Sequence, residues 1–196
     1  MENETPVETA SAQPSEPNFT MGFYIKEGFN VVKSNPIPLI LGNLVLLIMN
    51  SIAMGLLAGH WYAGMYHMVA KARRGESIDF GDAFWGFNNF IPNFVAGLVY
   101  TACIAIGSFL CVLPAFIAGG ILLYVVPLVA FKGEPIGSAI SKSKDEAMGS
   151  LVNHILFFFV ASLIGSSGLI LCGIGIFLTV PIGVAAMAVC YEERLG

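Results

Sequence analysis

The residues best able to do chemistry in this chain are three histidines, four cysteines and a scatter of acids. His60 and His67 are seven positions apart, which puts them on one helical face with Gly64 between them. His154 stands much later. Imidazoles in such places could ligate a metal or a haem, and His67 and His154 could meet near one end of a helical bundle. No acidic or thiolate cluster accompanies them to complete and orient a shell, so hydrogen-bonded or interfacial histidine is the plainer reading, and no metal or cofactor is expected. Cys111 and Cys172 fall at corresponding places and could pair in an oxidising compartment. Cys103 and Cys190 suit small buried hydrophobes, and no C-x-x-C spacing suggests zinc or redox work.

Glu76, Asp79, Asp82, Glu134, Asp145 and Glu146 gather in two short segments. A carboxylate pair there could serve a hydrolase, but solvated interfacial charge explains it more simply. There is no Gly-rich dinucleotide loop, Walker loop, H-E-x-x-H or G-x-S-x-G elbow. The expectation is a protein that is not an enzyme. Bases are few and balanced by acids, which argues against nucleic acid as a partner.

What must position these residues follows from the charge map. The 196 residues are 56% hydrophobic and only 11% charged, with mean hydropathy +0.78. Soluble domains carry about 25% charged residues, so the implied solvent is lipid. Ser34 to Ala70, Ala83 to Phe131 and Ala147 to Tyr191 contain no Asp, Glu, Lys or Arg. Each gap is too long for one membrane helix of about 20 residues and fits two joined by a tight turn. The expectation is an all-α polytopic membrane protein with six transmembrane helices arranged as three hairpins: Pro36–Met54, Leu56–Lys71, Ile91–Phe109, Leu113–Phe131, Ser150–Gly168 and Cys172–Cys190. The first hairpin is the tightest fit, so its helices are expected short, tilted or incompletely spanning.

A short amphipathic helix at the headgroup zone is expected before each hairpin. The first is "MGFYIKEGFNVVKSNP", the second "SIDFGDAFWGF" and the third "IGSAISKSKDEAM". Asp79 or Asp82 suits the cap of the second, and Trp85 the headgroup boundary. "ARRGESI" is echoed by "AFKGEPI" and "GFN" by a second "GFN", both at an offset of 58. The third hairpin matches mainly in hydropathy. This reads as three repeats, about 21–78, 79–136 and 137–193, in one membrane domain spanning 21–196. Residues 1–20 carry four Glu and no base, as expected of a disordered acidic tail, and account for the net charge of -4.

The order "GMYHMVAKARRGESIDFGDAFWGF", then "PLVAFKGEPIGSAISKS", then an apolar hairpin resembles the YciC-like family of bacterial polytopic membrane proteins. It also resembles the membrane domain attached to some bacterial glycerophosphodiester phosphodiesterases. The resemblance implies a six-helix bacterial inner-membrane protein and carries over no catalytic residue.

In this topology every base falls on one side, with Lys71, Arg73, Arg74, Lys132, Lys142 and Lys144 in the connectors. The bias of bases to the cytoplasm places both termini inside. Small residues recur at four-residue spacing: Gly55, Gly59, Ala63; Ala115, Gly119; Gly175, Thr179, Gly183. Such ridges permit close backbone approach, within the chain or between copies. Asn43, Asn50, Tyr100, Thr101, Ser108 and Tyr124 are polar at membrane depth. They could hydrogen-bond between helices or, with His67 and His154, line a solute path. The absence of carboxylates within the spans counts against a proton-coupled carrier. Three functions follow, in order of preference: an oligomeric scaffold or accessory subunit with a homo-oligomeric or membrane-protein partner, a channel or carrier for a small neutral or lipid-like solute, and an enzyme acting on lipid headgroups.

Overall fold

The computed structural model describes residues 19–110, 112–170 and 175–196. Helix makes up 85% and no strand occurs among the described residues. Most of the acidic tail lies outside them, as do Cys111 and Cys172.

Helix α1 (Met21–Ser34) ends where Asn35 precedes Pro36. A residue before proline is pushed out of helical geometry, while proline suits a first helical turn. Helix α2 (Pro36–Ile52) therefore starts afresh, bent by 100° from α1. Met54 and Gly55, both at positive φ, turn the chain into α3 (Ala58–Arg73). A 3-10 helix (Phe80–Phe87) follows, where an α-helix is expected. It has a reciprocal cap: the Asp82 N–H donates to the Asp79 side chain, and the Asp79 N–H donates to Asp82 at 2.8 Å.

Helix α4 (Phe90–Leu110) leads to α5 (Val112–Ile121) and α6 (Val125–Lys132). The sequence places one helix at Leu113–Phe131 and marks Pro127 as a point where it should kink or break, because Pro127 lacks the N–H that would bond Leu123. The chain breaks at 122–124, and Ser143 bridges the gap. Its hydroxyl donates to the Ile121 carbonyl at 2.6 Å and accepts the Tyr124 N–H at 3.2 Å. Helix α7 (Ile136–Gly149) carries that serine, and α8 (Leu151–Ser166), a 3-10 turn (Ser167–Ile170) and α9 (Ile176–Leu195) complete the fold.

Four stretches are long and apolar enough to cross a membrane: Phe90–Leu110, Val112–Lys132, Leu151–Leu169 and Ile176–Leu195. The bent pair α1 and α2 makes five if read as one span. The difference from six lies in the first hairpin. Helices α2 and α3 have 17 and 16 residues, about 26 and 24 Å at 1.5 Å per residue, against a hydrocarbon core of about 30 Å.

Packing follows a cycle. Each pre-hairpin segment rests on the helix that closes the preceding hairpin: the 3-10 helix on α3, α7 on α6, and α1 on α9. Between hairpins, α3 packs on α4, α5 on α8, and α9 on α2. Burial separates inner from outer helices. In the most apolar 18 residues of Val112–Lys132 and Ile176–Leu195 61% and 56% are buried, against 28% in those of Phe90–Leu110 and Leu151–Leu169. The outer stretches expose Ile106, Phe109, Val152 and Leu163, a surface suited to lipid.

Candidate functional site

Ion pairs gather where α3, α6 and α9 end. Lys71 lies 2.8 Å from Asp82, Arg73 pairs with both Glu192 and Glu193, and Arg74 with Glu76. Lys142 pairs with Glu134 and Arg194 with Glu146, while Lys144 is exposed. Burial pushes the Asp82 carboxyl up, but the Lys71 ammonium and the Asp79 N–H outweigh it, so Asp82 ionises below the usual carboxylate range. Lys142 and Ser138 hold Glu134 low in the same sense.

Inside this end, between α3, α6 and α9, is a mouth of about 240 Å³ lined by Tyr66, Arg74, Phe131, Lys132, Ala188 and Tyr191. The opposite end holds a second cavity of about 220 Å³, lined by Asn50, Trp61, Tyr62, Tyr100, Thr101 and Phe158. A third space of about 180 Å³, between α3, α8 and α9, shares Trp61 and Tyr62 with it. Helix α3 runs past all three. Tyr62 and Tyr66 are one turn apart, about 6 Å along the axis. Their rings are 6.1 Å apart, and Tyr100 closes on Tyr62 at 5.4 Å. Three tyrosines thus separate the two ends.

Asn50 and Thr101 share the second cavity. Asn43 is fully buried behind it and accepts the Trp61 indole N–H at 3.0 Å. His67 and His154 are elsewhere. His67 stacks on Trp85 at 4.6 Å and lies 3.8 Å from Asp82, while the other face of Trp85 meets Phe131. His154 is fully buried. Its Nδ1 is 3.0 Å from the Ser150 carbonyl, which only accepts, so Nδ1 carries the proton. Nε2 then accepts from the Tyr124 hydroxyl at 2.8 Å, and the Cys190 thiol, 3.2 Å away, donates to Tyr124. His60 donates through Nε2 to the Phe90 carbonyl at 3.1 Å. Among the described residues no three of His, Cys, Asp and Glu converge on a metal position.

Most of the small-residue positions are occupied within the chain. A Cβ on Gly59 would lie 1.8 Å from the Asn93 carbonyl oxygen, and one on Gly97 2.2 Å from the Gly59 nitrogen, so α3 and α4 meet backbone to backbone. Ala63 is fully buried. Gly119 faces the Phe158 ring, Gly183 the Ala161 carbonyl, and Ala115 the backbone at Gly107. The Thr179 hydroxyl donates to the Gly165 carbonyl at 2.7 Å, one turn beyond Gly175. Gly55 alone among them faces open space.

Trp61 and Tyr62 were not singled out from the sequence. Their signal was the run "HWYAGMY", whose Tyr62 and Tyr66 share a face at four-residue spacing. No family model, curated protein or solved structure matches this chain.

Proposed function

We propose that this chain is a non-enzymatic integral protein of a bacterial inner membrane that gives a small neutral or lipid-like solute a gated path. In this reading it crosses six times as three repeated units, with the ion-paired end and both termini cytoplasmic. The two short helices of the first hairpin are accommodated by local thinning of the bilayer. The packing cycle supports the repeats, because each pre-hairpin segment uses the same kind of neighbour and α1 closes the circle on α9. The inner-membrane placement follows the YciC-like resemblance and the bases confined to one end.

One observation carries the path: cavities at opposite ends of α3, with Tyr62, Tyr66 and Tyr100 between them. The Tyr62 and Tyr100 rings meet edge to face at 5.4 Å, which closes the barrier without charge. A neutral solute suits the far cavity, whose lining among the described residues contains no Asp, Glu, Lys, Arg or His. An oligomeric scaffold is the weaker reading. The ridges that suggested self-association are mostly used inside the chain, and lipid covers the exposed faces of α4 and α8 equally well.

The test is osmotic swelling of proteoliposomes challenged with a small polyol. Tyr66→Ala and, independently, Tyr100→Ala are expected to speed swelling several-fold over wild type, with each variant checked for a monodisperse elution profile. Swelling rates equal to those of protein-free vesicles in the wild type and both variants sink the path. Topology is tested by Glu76→Cys and Ser141→Cys in a background without native cysteines. An impermeant maleimide is expected to label both from the cytoplasmic face, and labelling from opposite faces overturns the assignment.

A further inference from the structure

We infer that the mouth at the ion-paired end binds a phosphate monoester, either the headgroup of a lipid or a small soluble ester. The site uses the mouth of the proposed path but does not rest on passage through it. Arg74, Lys132, Tyr66, Phe131 and Tyr191 all line this mouth. Arg74 and Lys132 are exposed, whereas Tyr66 and Tyr191 keep only 3% and 5% of their surface. Positive charge therefore stands at the rim, and buried phenols stand behind it. The volume of about 240 Å³ is that of about eight waters at roughly 30 Å³ each, room for a phosphate and a small group attached to it.

The donors here are uncommitted. Lys71, Arg73, Arg74, Lys142 and Arg194 each face an acid, but Lys132 makes no ion pair among the described residues. Arg74 gives Glu76 its Nε, which leaves both Nη groups. Neither the Tyr66 nor the Tyr191 hydroxyl has a hydrogen-bond partner among the described residues. Neither belongs to the unpartnered polar atoms sealed from water, which are those of Asn43, Asn50, His60 and Asn93. Both hydroxyls thus meet whatever fills the mouth. An ammonium, a guanidinium and two hydroxyls exceed what the two oxygens of a carboxylate need, and suit the three acceptor oxygens of a phosphate monoester. Donor bonds from cations to such oxygens are the strong kind. Glu192 lines the mouth too, but Arg73 holds its carboxylate and compensates its charge.

The chain has two tryptophans. Trp61→Phe leaves Trp85, whose ring lies 4.8 Å from that of Phe131, as the single reporter of the mouth. Gly196 also lines the mouth, so the purification tag is placed at the other terminus. The Trp61→Phe protein in dodecyl maltoside, which contains no phosphate, is titrated with methyl phosphate, dimethyl phosphate and dihexanoyl phosphatidate. Sodium chloride holds the ionic strength constant. The expected result is a saturable change in Trp85 emission with methyl phosphate, at least about tenfold weaker with the diester. Lys132→Gln, at an exposed position, should weaken methyl phosphate binding about tenfold. Tyr191→Phe, which keeps the ring, should weaken it several-fold. Tighter binding of dihexanoyl phosphatidate than of methyl phosphate supports a lipid headgroup as the ligand, and equal binding supports a soluble ester. A response that does not saturate, or that sodium chloride alone reproduces, overturns the site. Saturable binding that neither substitution weakens lies elsewhere and also overturns it. Equal affinity for methyl and dimethyl phosphate overturns the preference for a monoester. Lys132-dependent binding in a protein that supports no swelling keeps the site and removes the path, and swelling without phosphate binding does the reverse.

Discussion

Arg73, at the end of α3, places Nη1 2.5 Å from Oε2 of Glu192, at the end of α9. The pair ties the first hairpin to the last across 119 positions of sequence, where both chains leave the apolar core. Both side chains are about one-fifth exposed, so water screens the pair less than it would a surface contact.

A double-mutant cycle with Arg73→Ala, Glu192→Ala and the double variant should return a coupling of about 1 kcal/mol. Thermal unfolding in detergent measures it. Additive losses would mean that the two side chains do not support each other.

Gly59→Ala forces a methyl group against the Asn93 carbonyl. It should destabilise the protein by about 1–3 kcal/mol, as overpacking does, despite the better helix propensity of alanine. Gly137→Ala, on α7 with open space around it, is the control and should be neutral or slightly stabilising. Equal melting temperatures for the two variants would refute close approach of α3 and α4.

Ser143→Ala removes the hydroxyl that serves both sides of the break at 122–124. The expected cost is about 1–3 kcal/mol for the groups left unpaired. Amide exchange at Tyr124 should rise most. Unchanged protection there would show that the break holds itself.

Asp82 ionises below its unfolded value. Its contribution to stability is thus full above the unfolded carboxylate pKa and is lost as pH falls through the lower folded one. Acid should release the 3-10 helix from Lys71, and Trp85, three residues on, reports it. In a Trp61→Phe background, Trp85 emission should change on acidification below the usual carboxylate range. Asp82→Asn should abolish that transition, and its survival would assign the change to another acid.

The sequence by itself determined the all-helical class, the helix-rich apolar gaps and the gathering of charge at one end. These depend on local composition, because a segment without charge has no stable place in water and a charged one has none in lipid. The expected helix start at Pro36 also matches α2. Tertiary structure alone decided the rest. Hydropathy does not distinguish a helix crossing lipid from one sheathed by its neighbours, so the burial of α3 was invisible, although its shortness was expected. Pro127 was visible, but not the serine on another helix that mends its break. Small-residue ridges look the same whether a second copy or the same chain fills them, and here Gly59 meets Gly97. Asn50, Tyr62 and Thr101 share one cavity because the end of α2, the first turns of α3 and the middle of α4 meet beside it, a relation between distant segments that no local pattern encodes.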